Sequence, residues 1–117
     1  MYPPLFKGTV ANGATLYVGV PLDDASIVSL QLAWKDGVSS GAFTFETTNF
    51  PASEAPVDTA GSAWLWKTEP AVSITGPSAS SGNSTVVHIG NLGATRGRIK
   101  FVAAANSNLE IRAQRKR

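Results

Sequence analysis

Three cations alternate along one stretch of the chain, because Arg96, Arg98 and Lys100 are each two residues apart. Side chains at this spacing in a β-strand point to the same face, and like charges so placed repel one another unless acidic groups answer them. The chemistry that the spacing could support is electrostatic docking of an acidic neighbour, with Arg112 as a fourth member if its strand lies alongside. The alternative is an ordinary solvated strand face with Glu110 as a local partner, since Lys and Arg also protect edge strands from aggregation.

Two tryptophans, Trp64 and Trp66, are also two residues apart, with Leu65 between them. We expect a strand over residues 63–67, which would place both indoles on one face. Either both are core residues whose N–H groups bond to loop carbonyls, or they form an aromatic platform for sugar rings or an anchor in a subunit interface.

Residues suited to catalysis are few. His88 is the only histidine and there is no cysteine, so thiol chemistry and thiolate metal sites are excluded. Asp23, Asp24 and Asp36 could bind calcium, but acidic residues at strand turns are commonplace. No Ser/His/Asp spacing, phosphate loop or carboxylate pair stands out. We therefore expect no enzymatic activity, no metal and no cofactor.

The charge of the chain is divided unevenly. Residues 1–95 carry three basic and seven acidic side chains, a net of −4, whereas residues 96–117 carry seven basic and one acidic, a net of +6, which together give the overall +2. The basic end includes a terminal tail at 115–117. Aromatic residues do not interleave with these cations, so no stacking platform for bases is visible and we do not expect nucleic-acid binding.

Length and composition indicate one domain of 117 residues, of which only 15% are charged, against about a quarter in typical domains. A chain so sparse in charge suits a domain that partners partly cover. No apolar run approaches the roughly 20 residues of a membrane span, and the start does not resemble a secretory signal. We expect no membrane association.

Hydrophobic periodicity is two almost throughout, which predicts an all-β protein of seven or eight short antiparallel strands. The expected architecture is a β-sandwich of jelly-roll type. Asn12-Gly13 between two apolar runs predicts a hairpin of strands 5–10 and 14–20. A second hairpin is predicted from strands 97–105 and 107–114. Further strands are predicted at 26–34, 42–48 and 85–89, and residues 63–67 and 71–75 form either a strand pair or one bent strand. Val28, Leu30, Leu32 and Trp34 share the apolar face of the first of these strands. In the second, Phe43 and Phe45 face inward and Thr44 and Glu46 outward.

Two segments outside these strands are candidates for binding partners. Residues 49–62 read as a long loop rich in Pro, Ala and Ser, and loops of that length tend to be functional or mobile. Residues 1–6 form an apolar, proline-stiffened arm that could clip onto a neighbouring subunit, through Tyr2, Pro3, Pro4, Leu5 and Phe6. The predicted organisation is an arm at 1–6, a sandwich domain at 7–114 and a basic tail at 115–117.

From about residue 26 to residue 114 the chain resembles small structural proteins of tailed bacteriophages. The resemblance rests on "SLQLAW", then "GAFTFE" followed by a Thr-Asn loop, then Trp66-Lys67-Thr68, and last "RGRIKFVAAANSNLEIRAQRK". The order of these pieces over most of the chain carries the likeness. The 5–20 segment and the Tyr-Pro-Pro arm are not covered by it.

This resemblance implies a non-enzymatic virion component, made in the host cytoplasm, that contacts other capsid or tail subunits. It also implies many copies in a symmetric assembly, most simply a trimer or larger ring, and the short single-domain chain favours the head over the tail. The contact residues would be those of the arm, the basic stripe and the 49–62 loop. The alternative function is a carbohydrate-binding adhesion module that uses Trp64 or Trp66, and it requires one of these rings to be exposed.

Overall fold

The structure is a computed structural model that describes residues 4–22, 27–35, 41–57, 63–76, 83–90 and 94–116. The described residues form eight β-strands and one short 3-10 helix, and none of their helices is long and apolar enough to cross a membrane. The strands are β1 (Phe6–Val10), β2 (Thr15–Pro21), β3 (Ile27–Lys35), β4 (Gly41–Thr48), β5 (Lys67–Gly76), β6 (Asn83–Ile89), β7 (Arg96–Ala103) and β8 (Ser107–Lys116), and the 3-10 helix is η1 (Ala63–Leu65).

The strands form two four-stranded antiparallel sheets packed face to face. Sheet 1 has the order β1-β8-β3-β6 and sheet 2 the order β2-β7-β4-β5. The strands therefore pair as β1 with β8, β2 with β7, β3 with β6 and β4 with β5, which is the jelly-roll arrangement. The predicted fold class is confirmed.

Strand pairing differs from the two predicted hairpins. The Asn12-Gly13 turn forms, with Gly13 at φ 85° and the Ala14 N–H donating to the Ala11 carbonyl over 3.0 Å. However, the strands on either side of the turn lie in different sheets, and so do β7 and β8. Both predicted hairpins are wrong, because a local turn signal reverses the chain without specifying whether its two arms pair with each other or cross to opposite sheets.

The core lies between the two sheets and is formed by the inward-facing residues of both. Val28, Leu30 and Leu32 of β3 are fully buried, and the rings of Phe43 and Phe101 pack at a centroid distance of 4.5 Å. The cluster also contains Val10, Val18, Val20, Leu22, Phe45, Ile89, Ile99, Ala103, Leu109 and Ile111.

Both termini belong to sheet 1 more fully than predicted. β1 begins at Phe6, which pairs with Ile111, and the Leu5 N–H donates to the Ile111 carbonyl over 2.7 Å. At the other end, β8 runs to Lys116, and Arg115 Nη1 donates to the Pro21 carbonyl over 3.1 Å. The predicted tail at 115–117 is therefore largely the last part of a strand, since two of its three residues pair with β3.

Candidate functional site

The outer face of sheet 2 is covered by the connection between β4 and β5. We call the described part of this connection, residues 49–57 and 63–66, the strap. Its first part turns at Pro51, whose carbonyl accepts hydrogen bonds from the N–H groups of Glu54 and Ala55. Ala55 is fully buried although it lies outside both sheets. The sandwich thus carries a third layer on one side.

Arg98 joins the strap to the sheet. Its side chain projects from the outer face of β7, because its neighbours Gly97 and Ile99 face the core, yet Arg98 is 0% exposed. Nε lies 2.7 Å from Glu46 Oε1, and Nη1 donates to the Val57 carbonyl over 2.9 Å. The guanidinium is thereby paired with the sheet through Glu46 and with the strap through Val57.

Two aromatic rings also flank Arg98. The guanidinium carbon lies 4.4 Å from the ring centroid of Tyr17 and 4.4 Å from that of Trp66. Both distances are within the range of cation–π attraction. An arginine held by a carboxylate, a carbonyl and two rings is a buried structural group, so the prediction that Arg98 lies on an exposed docking stripe is wrong.

Strand register explains how these groups meet. Glu46 of β4 lies directly opposite Arg98 across the β4–β7 ladder, and Gly19 of β2 lies opposite Arg98 on the other side. Tyr17 is two residues from Gly19, which is the diagonal position that a long side chain can reach. Gly19 lies beneath the strap, and a Cβ there would be in ordinary van der Waals contact with Val57 Cγ2 at 3.4 Å.

The remaining members of the predicted stripe are placed differently. Arg96 is half-buried, with Nη1 donating to the carbonyls of Phe50 and Ala55 over 2.9 Å each, and its guanidinium carbon lies 5.2 Å from the Trp66 ring. Lys100 is half-buried on the same face. The three cations do share one face of β7 as predicted, but Arg96 and Arg98 are bound to carbonyls of the strap.

Arg112 does not lie beside these residues. It belongs to β8 of sheet 1, whereas β7 belongs to sheet 2, so the two sets of cations are on opposite sides of the sandwich. Arg112 Nε lies 2.6 Å from Glu110 Oε2, and Lys7 Nζ lies 3.9 Å from the other oxygen of the same carboxylate. Glu110 is therefore a local ion-pair partner, but for Arg112 and Lys7 and not for the β7 cations.

The two tryptophans have opposite environments. Residues 63–65 form the 3-10 helix η1 where a strand was predicted, and β5 begins only at Lys67. Trp64 lies in this helix and Trp66 follows it, outside any strand, so the prediction of a shared strand face is wrong. Trp64 is 82% exposed, whereas Trp66 is 6% exposed against the two arginines.

Trp66 also differs from the expected core tryptophan in its hydrogen bonding. Its buried Nε1–H has no acceptor among the residues that the structure describes, although a loop carbonyl was expected there. Trp66, Arg96 and Arg98 thus bring several N–H donors together, and Arg98 among them is paired with the Glu46 carboxylate.

The arm contacts its own domain. Leu5 and Phe6 are half-buried against the core, and Pro4 is exposed. A role for Leu5 and Phe6 in clipping onto a neighbour therefore conflicts with their place in the sandwich. Tyr2 and Pro3, also predicted to bind a partner, lie outside the described residues.

Candidate catalytic and metal-binding groups remain scattered. Among the described residues there is no group of three or more His, Cys, Asp or Glu that could hold a metal ion. His88 is exposed on the outer face of β6. Asp23, Asp24 and Asp36 lie outside the described residues.

Sequence reasoning missed Tyr17, Glu46 and Val57 as members of this cluster. Glu46 was correctly predicted to face outward, and an outward carboxylate on one strand with an outward arginine on another was a usable signal. The register that sets them opposite each other is non-local. Val57 binds Arg98 through its backbone carbonyl, which every residue type has, so the sequence cannot indicate this contact.

Comparisons with known proteins add little to this description. No protein-family model and no curated protein sequence matches the chain. Among solved structures, the chain is similar to one described as "Family 16 Carbohydrate Binding Module-2", with 9% sequence identity, 91% of this chain and 74% of that chain covered, and a TM-score of 0.38. A likeness this distant carries no information on function.

Proposed function

We propose that the protein is a non-enzymatic structural subunit of a virion, which binds neighbouring capsid or tail subunits through the outer surface of the strap. The observation that carries the proposal is Trp64, whose side chain is 82% exposed on η1. Tryptophan is among the residues most enriched at the energetic centres of subunit interfaces. Burying one aromatic side chain removes about 150–250 Å² from contact with water.

Rigid support of this ring favours a binding role. Two residues after Trp64, Trp66 is buried against Arg96 and Arg98, and the earlier part of the strap is held by the hydrogen bonds of these arginines to the carbonyls of Phe50, Ala55 and Val57. A side chain presented from a fixed base loses less conformational entropy on binding. Phe50, 45% exposed, adds a second aromatic to the strap surface.

The sequence resemblance to small bacteriophage structural proteins supports the same function and suggests a trimer or larger ring. Of the contact regions first expected, the proposal keeps the loop after β4, whose described part belongs to the strap, and leaves out Leu5, Phe6 and Arg98, which are engaged within the chain. Lys100, half-buried on β7, remains as a cation of the original stripe without an ion pair among the described residues.

The test is the mass of the purified protein in solution by light scattering. We expect a defined oligomer, most simply a trimer, that dissociates to monomers in Trp64→Ala. Val86→Ala is the matched control, because Val86 is another exposed apolar side chain but lies on β6 of sheet 1. A monomer at every concentration, or an oligomer indifferent to Trp64→Ala, would contradict the proposal.

A second candidate function, carbohydrate binding, is favoured by the same exposed ring. An indole face open to solvent can stack on a sugar, and the hypothesis required Trp64 or Trp66 to be exposed. Jelly rolls occur in both capsid and lectin domains, so the fold does not choose between the two functions. A glycan array with wild type and Trp64→Ala separates them. Carbohydrate binding predicts that the wild type binds glycans on the array and the variant does not, while the oligomeric mass in solution is the same for both.

A further inference from the structure

A small cleft opens at the end of sheet 2 where the strap meets β2 and β7. It has a volume of about 230 Å³ and is lined by residues 19–21, residues 95–97 and Val57. Its walls are mainly apolar and consist largely of small residues. Arg96 is the charged residue in its lining.

Arg96 has hydrogen-bonding capacity to spare. Both of its described hydrogen bonds use Nη1, which leaves the N–H groups on Nε and Nη2 without an acceptor among the described residues. In that part of the chain Arg96 also has no carboxylate within ion-pair distance. Its contact with Trp66 places it beside a second buried donor, the Nε1–H, that has no acceptor there either.

The balance of charge around Arg96 points to an anion. Among the residues that the structure describes, the cluster of Arg96, Arg98 and Trp66 contains two guanidinium groups and one carboxylate, that of Glu46, which pairs with Arg98. Buried donors such as the Trp66 Nε1–H are normally satisfied, and arginine is suited to bidentate binding of a carboxylate.

We propose that this cleft binds a carboxylate of a partner protein, an Asp or Glu side chain in an extended apolar segment, with Arg96 as its counter-ion. The inference rests on the proposed function, because it names the chemistry of the partner in the assembly. A peptide fits better than a sugar, since Gly19, Pro21, Val57 and Gly97 offer no side-chain hydrogen bonds, and the Thr95 hydroxyl is directed to the Thr48 carbonyl.

The experiment is a titration of the isotope-labelled protein, followed by NMR, with two capped peptides, acetyl-Val-Glu-Val-amide and acetyl-Val-Gln-Val-amide. We expect shifts in the backbone amides of Gly19, Val57 and Gly97 and in Arg96 Nε–H with the Glu peptide. The Gln peptide should bind at least about tenfold more weakly, equivalent to about 1.4 kcal/mol. The pair needs no protein variant, so it does not depend on how the strap tolerates substitution.

Three variants locate the site. Arg96→Gln should abolish the difference between the peptides, whereas Lys100→Gln, which removes a cation from the same face of β7 outside the cleft, should preserve it. Gly19→Ala narrows the cleft by placing a methyl group 3.4 Å from Val57 Cγ2 and leaves Arg96 intact, so it should weaken the Glu peptide severalfold.

Several results would overturn the proposal: no shifts at these residues, equal binding of both peptides, or loss of binding in Lys100→Gln but not in Arg96→Gln. Glucuronate producing the same shifts while the Glu peptide does not would assign the cleft to acidic sugars and overturn the protein-partner assignment. Failure here is distinguishable from failure of the proposed function, because an oligomer that depends on Trp64 is measured separately and does not require the cleft.

Discussion

Replacing Arg98 tests whether this residue is a buried structural group. Arg98→Ala removes the guanidinium from between the rings of Tyr17 and Trp66 and leaves Glu46, itself 8% exposed, without its partner. Breaking a buried ion pair by removing one member costs about 3–5 kcal/mol. A domain of 117 residues has a free energy of unfolding of roughly 6–18 kcal/mol, so the substitution should remove a large fraction of the stability.

The measurement is urea unfolding followed by tryptophan fluorescence and circular dichroism. Lys100→Ala is the matched control, because Lys100 lies on the same face of β7, two residues away, and is only half-buried. We expect it to change the free energy of unfolding by no more than about 0.5 kcal/mol. The slope of the unfolding curve should be similar in both variants if neither alters the denatured state.

A double-mutant cycle separates the ion pair from the packing. Glu46→Leu combined with Arg98→Met replaces both charges with apolar groups, which is often nearly neutral for a buried pair. The double variant should therefore be more stable than the sum of the single effects predicts, by at least about 1.5 kcal/mol. A cost of less than about 1 kcal/mol for Arg98→Ala, the value of an exposed pair, together with an equal cost for Lys100→Ala, would show that Arg98 does not anchor the strap.

Three further stability predictions use the same unfolding assay. Trp66→Ala should cost about 3–5 kcal/mol because it empties a buried site, whereas Trp64→Ala should stay within about 0.5 kcal/mol; equal costs would contradict the opposite environments of the two rings. Gly41→Ala should cost about 1–3 kcal/mol, since its Cβ would clash with the Val102 carbonyl oxygen, whereas Gly90→Ala, whose Cβ would have no atom within 4 Å, should be nearly neutral. Phe101→Ala should cost about 3–5 kcal/mol, as its ring lies at the centre of the core, and a loss below 1 kcal/mol would place the core elsewhere.

The alternation of side chains was a reliable guide to the fold class and to the two faces of each strand. Along β3, the alternate residues predicted inward, such as Val28, Leu30 and Leu32, are buried, and Gln31 is exposed. This works because the side-chain period of two is a local property of extended backbone. The choice of pairing partner is not local: β1 pairs with β8 from the other end of the chain, so turn signals beside β1 could not reveal it.

The misplacement of Arg98 has a different cause. The alternation correctly predicts that Arg98 lies on the outer face of β7. An outer face is not necessarily exposed to solvent, however, and Arg98 is buried there. Whether an outer face is covered depends on a distant segment, here the strap. The available signal was the length of the loop at residues 49–62 together with Trp66 shortly after it. A long connection followed by a large apolar side chain is ordered only if it packs against the domain.

The jelly roll itself leaves the outer face of sheet 2 bare, and the strap determines what that face can do. β4 and β5 are antiparallel neighbours, so a two-residue turn could have joined them; the additional residues are not needed to complete the sheet. Arg98 gives them an anchor, since its hydrogen bond to the Val57 carbonyl and its stacking on Trp66 hold the strap at two separated points. The strap in turn presents Trp64 to solvent and forms one wall of the cleft at Arg96. We therefore expect partner binding to depend on the strap and not on the sandwich. A chain with the same eight strands but a short β4–β5 turn should fold but lack both the Trp64 surface and the cleft at Arg96.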